Sequence, residues 1–258
     1  MSTFDWRSSS PADIDHEYSP SRHARRPLDE HMAEYARRSA GVEPASLVTP
    51  GAPLLVYIHG GYWQQLSAAE SLFNAADAVR HGVSLHAVDY DLAPRATIEG
   101  IIAQCTRDIA VTVERLRPSR TVLAGCSAGA HIAAMCARVP EIAAAVDGLA
   151  LLSGIYDLRP LVVTPTNDAL GLDADRAALL SPMLLEPPPV RAALCAVGRH
   201  ESSEFIRQNA EFARRLTSAA PGVVDAVVDE RDHFDLPYDL LSAGTTVGDW
   251  VLDVLEVR

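Results

Sequence analysis

The chain has 258 residues, 48% of them hydrophobic and 22% charged, a balance that supports one sizeable core and excludes a largely disordered chain. Its formal net charge of −12 repels phosphate backbones and anionic headgroups, so neither a nucleic-acid nor a membrane partner is expected. The densest basic run, Arg22, His23, Arg25 and Arg26, is too short to reverse that field. No apolar run of signal-peptide length opens the chain and none elsewhere reaches a membrane span, which points to a cytoplasmic protein.

Residues 1–50 are rich in Ser, Pro and Arg and carry no strong strand signal. They read as an N-terminal extension packed on the core, with one helix expected over Leu28–Ser39. From residue 51 to 258 the pattern changes to strand-length apolar runs alternating with segments of helical period. That alternation predicts a single catalytic domain of α/β class, with a mostly parallel central sheet, helices on both faces and no separate large cap domain.

The first expected strand, Leu54–Ile58, runs directly into His59-Gly60-Gly61-Tyr62-Trp63. Two adjacent glycines let backbone amides approach a developing oxyanion with no Cβ in the way, whereas a lone Gly-Gly pair is more often only a turn. His59 is expected to brace this loop. Tyr62 and Trp63 fit either a substrate pocket or the core. Ser67 and Glu70 have capping-box spacing and predict a helix start.

A second strand is expected at Val83–Val88. A long amphipathic helix follows through Ile98, Ile101, Ile102, Cys105, Ile109, Val113 and Leu116. The next strand, Thr121–Ala124, ends in Gly125-Cys126-Ser127-Ala128-Gly129, and Ala128, Ile132, Met135, Cys136 and Val139 then repeat at helical spacing. Chance supplies such a pentapeptide in roughly one chain in ten of this size. Its position between a strand and a helix is what raises it, because a sharp strand-to-helix turn strains the serine and needs neighbours with almost no side chain. Ser127 is therefore the expected nucleophile of an α/β-hydrolase fold, with the Gly60, Gly61 and Ala128 amides as its oxyanion hole.

Further strands are expected at Leu149–Leu152, Ala192–Val197 and Val223–Val228, most of these runs being buried on both faces. Glu186, Pro187, Pro188 and Pro189 read as a loop, and Trp250, Val251, Val254 and Leu255 suggest a closing helix. In this fold the triad runs nucleophile, acid, histidine, with the histidine after the last core strand. His233 is the single histidine beyond Val228. The acid belongs after Ala192–Val197, where Glu201 and Glu204 both stand. Glu201 comes first and is preferred, while Glu204 appears at a helix start, where acids commonly face the dipole.

Several segments together resemble the serine-dependent kynurenine formamidases, or arylformamidases, of the hormone-sensitive-lipase-like branch. They are His59 to Gln64, Ser127-Ala128-Gly129-Ala130-His131, Ser153-Gly154-Ile155-Tyr156-Asp157-Leu158, Glu201-Ser202-Ser203-Glu204-Phe205, His233-Phe234 and Glu17-Tyr18-Ser19-Pro20. The resemblance implies a triad of Ser127, Glu201 and His233 and hydrolysis of N-formyl-L-kynurenine to L-kynurenine and formate, without metal or other cofactor. It places Cys126 where the family often has histidine, and Glu201 where animal and yeast members have aspartate. A formyl group needs almost no acyl pocket, so specificity is expected on the aryl side, with Tyr62, Trp63, Tyr156 and Phe234 as candidate contacts.

A carboxylesterase for small aryl or alkyl esters would use the same groups and is the alternative. Metal dependence is not expected, since the histidines form no ligand cluster. Cys105, Cys126, Cys136 and Cys195 are expected as free thiols, the first three in or beside apolar segments. A small-molecule substrate is the expected partner, and a homodimer is compatible with the sequence without being readable from it.

Overall fold

The computed structural model describes residues 4–220 and 222–257. Six strands, β1 (Leu54–Ile58), β2 (Ser84–Val88), β3 (Thr121–Cys126), β4 (Gly148–Leu152), β5 (Ala192–His200) and β6 (Gly222–Asp232), form one sheet in the order β2-β1-β3-β4-β5-β6. Every neighbouring pair is parallel. Parallel neighbours need crossover connections, which is why the helices lie on both faces. They are α1 (Pro11–Glu17), α2 (Leu28–Ser39), α3 (Ala75–His81), α4 (Ile98–Leu116), α5 (Ala128–Cys136), α6 (Pro140–Ala145), α7 (Asn167–Leu170), α8 (Ala174–Leu179), α9 (Ser203–Leu216) and α10 (Thr246–Val254).

Strands β1, β3 and β4 are buried along their whole length, and successive side chains feed opposite faces. Leu54, Val56, Ile58, Leu123, Leu149 and Leu151 join one core with α4, α5 and α9. Leu55, Tyr57, Val122, Ala124 and Leu152 join a second with α3 and α10. Covering both faces explains why these strands read as continuous apolar runs. Register places Ile58 beside both Val88 and Gly125, so the loops after the strands gather at one sheet edge.

Three expectations change. β6 is an edge strand and half exposed, with Val224 and Val227 each 37% accessible, because one flank lacks a neighbour. Ser67 begins a short 3-10 turn, Ala68–Ser71, and its hydroxyl donates to the Glu70 carboxylate at 3.2 Å instead of capping an amide. The extension holds a second helix, α1, begun by a capping box in which Ser10 and Asp13 satisfy each other's amides.

The extension is docked by specific contacts. Ile14 and Tyr18 enter the first core, the Tyr18 hydroxyl donates to Glu204 at 2.9 Å, and the Tyr35 hydroxyl donates to the Phe234 carbonyl at 2.7 Å. No described helix is long and apolar enough to cross a membrane.

Candidate active site

At the end of β3, Ser127 takes φ +57° and ψ −121°, a backbone state that an L residue holds only under strain. The surroundings enforce it. A Cβ on Gly125 would lie 2.2 Å from the Gly129 carbonyl oxygen, and one on Gly129 would lie 2.0 Å from the Ile58 carbonyl oxygen. The two glycines thus let α5 press against β1 and β3, and the tight turn lifts Ser127 to the sheet edge. Ser127 is 5% exposed.

The loop after β1 lies against this turn. A Cβ on Gly60 would meet the Cys126 carbonyl oxygen at 2.9 Å and the Ser127 Cβ at 3.1 Å. Gly61 has φ +89°. Among the described residues no acceptor engages the amides of Gly60, Gly61 or Ala128, and the Ala128 amide also opens α5, where the helix dipole favours negative charge. His59 braces the loop: its Nδ1 donates to the Gly60 carbonyl at 3.0 Å and its ring stacks on Tyr90 with centroids 4.1 Å apart. Burial lowers the His59 pKa and keeps the ring neutral.

Beyond β6, His233 is 5% exposed and its Nδ1 donates to Glu201 Oε2 at 2.8 Å. Glu201 Oε1 accepts from the Ser153 hydroxyl at 2.6 Å and the Gly198 amide at 2.7 Å. A carboxylate with three donors is fixed in place and fixes the imidazole tautomer. Glu204 faces away. It is fully buried in a network with Tyr18, Arg207 and Gln208, so the two glutamates have different partners.

Ser127, His233, Gly60 and Gly61 line one cavity of about 290 Å³. Tyr62 and Phe234 line it as well, and the Tyr62 hydroxyl donates to the Tyr18 carbonyl. Trp63 and Tyr156 do not, which corrects their assignment as substrate contacts. Both are fully buried: Trp63 packs edge-on against His131 at 5.1 Å, and Tyr156 stacks on Phe212 at 4.1 Å. With φ +52° and +58° at Tyr62 and Trp63, the chain reverses locally and carries the indole into the core.

Several contributors escaped the sequence reading. Ser153, fully buried just after β4, donates to Glu201, and its place at the sheet edge between the strands that lead to Ser127 and Glu201 is a signal that could have found it. Tyr18, Ser19, Pro20, Ser21, Leu28, Met32 and Tyr35 make one pocket wall from the extension; Tyr18, Ser19 and Pro20 fall in a segment of the resemblance and Leu28, Met32 and Tyr35 in the expected helix, but neither signal puts them at the pocket. Cys126 is a buried free thiol that approaches the His233 carbonyl at 3.7 Å. Burial, and then Glu201, raise its pKa and keep it protonated. His131 is buried with Nε2 2.7 Å from the Leu180 carbonyl, and burial lowers its pKa to about 4. Among the described residues, His16, Glu17 and His23 have ligand atoms within 4.8 Å of one another. They lie on the extension and not against Ser127.

A family profile described as alpha/beta hydrolase fold matches residues 55–224. A kynurenine formamidase of Danio rerio is 32% identical over 90% of this chain and 92% of its own, and one of Salmo salar is 34% identical over 80% and 72%. A crystal structure from Silicibacter sp. tm1040 superposes with TM-score 0.81 over 93% of this chain and 98% of that one, at 21% identity, a likeness of fold. The chain belongs to the kynurenine formamidase family of the α/β-hydrolase fold.

Proposed function

We propose that this protein hydrolyses an aryl formamide, foremost N-formyl-L-kynurenine, to the arylamine and formate through a formyl-enzyme on Ser127. The observation that carries the reading is the Glu201–His233 hydrogen bond at the cavity that holds the strained Ser127 turn. His233 Nε2 takes the Ser127 proton as Oγ bonds to the formyl carbon. The oxyanion then rests on the Gly60, Gly61 and Ala128 amides. Collapse breaks the C–N bond while His233 returns the proton to the leaving arylamine. Water, deprotonated by His233, cleaves the formyl ester and frees formate and Ser127. Tyr62 and Phe234 remain the aromatic candidates for the aryl side.

The same groups serve small esters, so the discriminating assay compares kcat/KM for N-formyl-L-kynurenine and p-nitrophenyl acetate. Formamide hydrolysis predicts the higher efficiency on formylkynurenine, and a much higher efficiency on the ester would replace this reading with a carboxylesterase. Activity is expected to survive a chelator, since no step uses a metal. Four buried free thiols suit a reducing compartment and support a cytoplasmic placement.

A further inference from the structure

We infer that His31, in the N-terminal extension, is a positioning residue that acts through Asp232 to hold the backbone on which His233 is carried. This rests on the reading of His233 as the catalytic base. Glu201 sets the His233 ring, and a second carboxylate, fully buried Asp232, sets the turn around it. Asp232 Oδ1 accepts from the Phe234 amide at 2.9 Å and the Asp235 amide at 3.2 Å, while Asp235 Oδ1 accepts from the Asp232 amide at 2.8 Å. The turn therefore closes on itself across His233.

The outer oxygen of Asp232 belongs to the extension. Oδ2 accepts from the Arg25 amide at 2.8 Å and stands 3.3 Å from Nε2 of His31, and both side chains are fully buried. Arg26 Nη2 approaches His31 Nδ1 at 3.4 Å. A guanidinium only donates, so Nδ1 accepts and the ring proton stays on Nε2, which faces Asp232 Oδ2 across 3.3 Å but lies off the line of a regular hydrogen bond. The His31 ring also lies on Phe234 with centroids 5.1 Å apart, and the Tyr35 hydroxyl holds the Phe234 carbonyl. Burial opposes charge on Asp232, and the donors from His31, Arg25 and Phe234 outweigh it, keeping the carboxyl well below its ordinary range.

The need for such a clamp follows from topology. β6 is an edge strand, and the turn after it lacks a neighbouring strand on one side, so its order depends on what docks there. A shift of about 1 Å in a catalytic group costs on the order of a hundredfold in rate.

Fluorophosphonate labelling of Ser127, together with kcat and KM on formylkynurenine, is measured for the full-length wild type, His31→Leu, His31→Gln and Tyr35→Phe. The clamp predicts that His31→Leu lowers kcat and labelling rate together by about tenfold or more with KM within about twofold. His31→Gln, whose amide can bring an N–H to the same Asp232 oxygen, recovers most of the loss. Wild-type rates in folded His31→Leu, or a Gln variant as impaired as Leu, overturn it. If His31→Leu does not fold, Tyr35→Phe decides: it keeps the ring and removes one bond to the His233 turn, and an unchanged labelling rate overturns the clamp. A wild type that resists labelling removes the serine-hydrolase reading and the clamp with it, whereas labelled wild type with unaffected variants removes the clamp alone.

Discussion

Glu201 and Glu204 differ in place by three residues, yet only Glu201 reaches His233, because Ser202 caps α9 and Glu204 is already inside that helix. Glu201→Gln keeps size and shape but presents an amide where Nδ1–H needs an acceptor, so kcat on formylkynurenine should fall by about 10³ to 10⁴-fold with little change in thermal midpoint. Glu204→Gln should do the reverse, leaving kcat within a few-fold and costing about 1–3 kcal/mol in denaturant unfolding, since it weakens buried bonds to Tyr18, Arg207 and Gln208. That Ser127 and His233 come to one cavity was legible in the sequence, because turn chemistry and chain order each leave one choice. The two aromatic contacts that proved internal were not, because side-chain type does not say which way a residue points. Tyr156 tests this: among the described residues its hydroxyl has no hydrogen-bond partner, so Tyr156→Phe should leave KM and stability nearly unchanged. Tyr156→Ala should cost about 3–5 kcal/mol through the cavity beside Phe212.

At the scale of elements, β1, β3, β4 and the middle of β5 announced themselves because a strand buried on both faces has few polar positions to interrupt it, and the edge strands β2 and β6 were found by their apolar residues although both are partly exposed. The wall that the extension gives to the pocket was not legible. Leu28, Met32 and Tyr35 share one side of the expected helix, but its period does not say what that side packs against, and the docking depends on partners as distant in sequence as Glu204 and Phe234. The seam between α5 and β1 carries a further prediction. Gly129→Ala should gain up to about 1 kcal/mol from helix propensity, but the new methyl would sit 2.0 Å from the Ile58 carbonyl oxygen, and a backbone atom in the central sheet cannot step aside. Overpacking of about 1–3 kcal/mol or more should win, so the variant should unfold at lower denaturant and lose Ser127 labelling, since the same displacement moves the turn.

Across the whole molecule, the buried histidines couple the fold to pH. His131 sits between α5 and the Leu180 carbonyl with its pKa lowered to about 4 from an ordinary 6.5, and desolvation is the larger cause. Between those two values the unfolded chain binds a proton that the folded chain refuses, so stability is full above about pH 6.5 and declines as pH falls toward 4. The shift corresponds to about 3 kcal/mol at the acid end of that window. Asp232 acts lower on the scale: its depressed pKa gives stability that is present above the unfolded carboxyl value of 3.8 and is lost below it. Thermal midpoints should therefore be flat from pH 8 to 7 and fall progressively through the window of His131. His131→Gln retains a donor for the Leu180 carbonyl and removes the titrating group, so its midpoint should depend less steeply on pH between about 6.5 and 4 whatever its value at pH 7. A slope equal to that of the wild type would assign the acid sensitivity to other groups, with His59, whose pKa burial also lowers, the next to substitute.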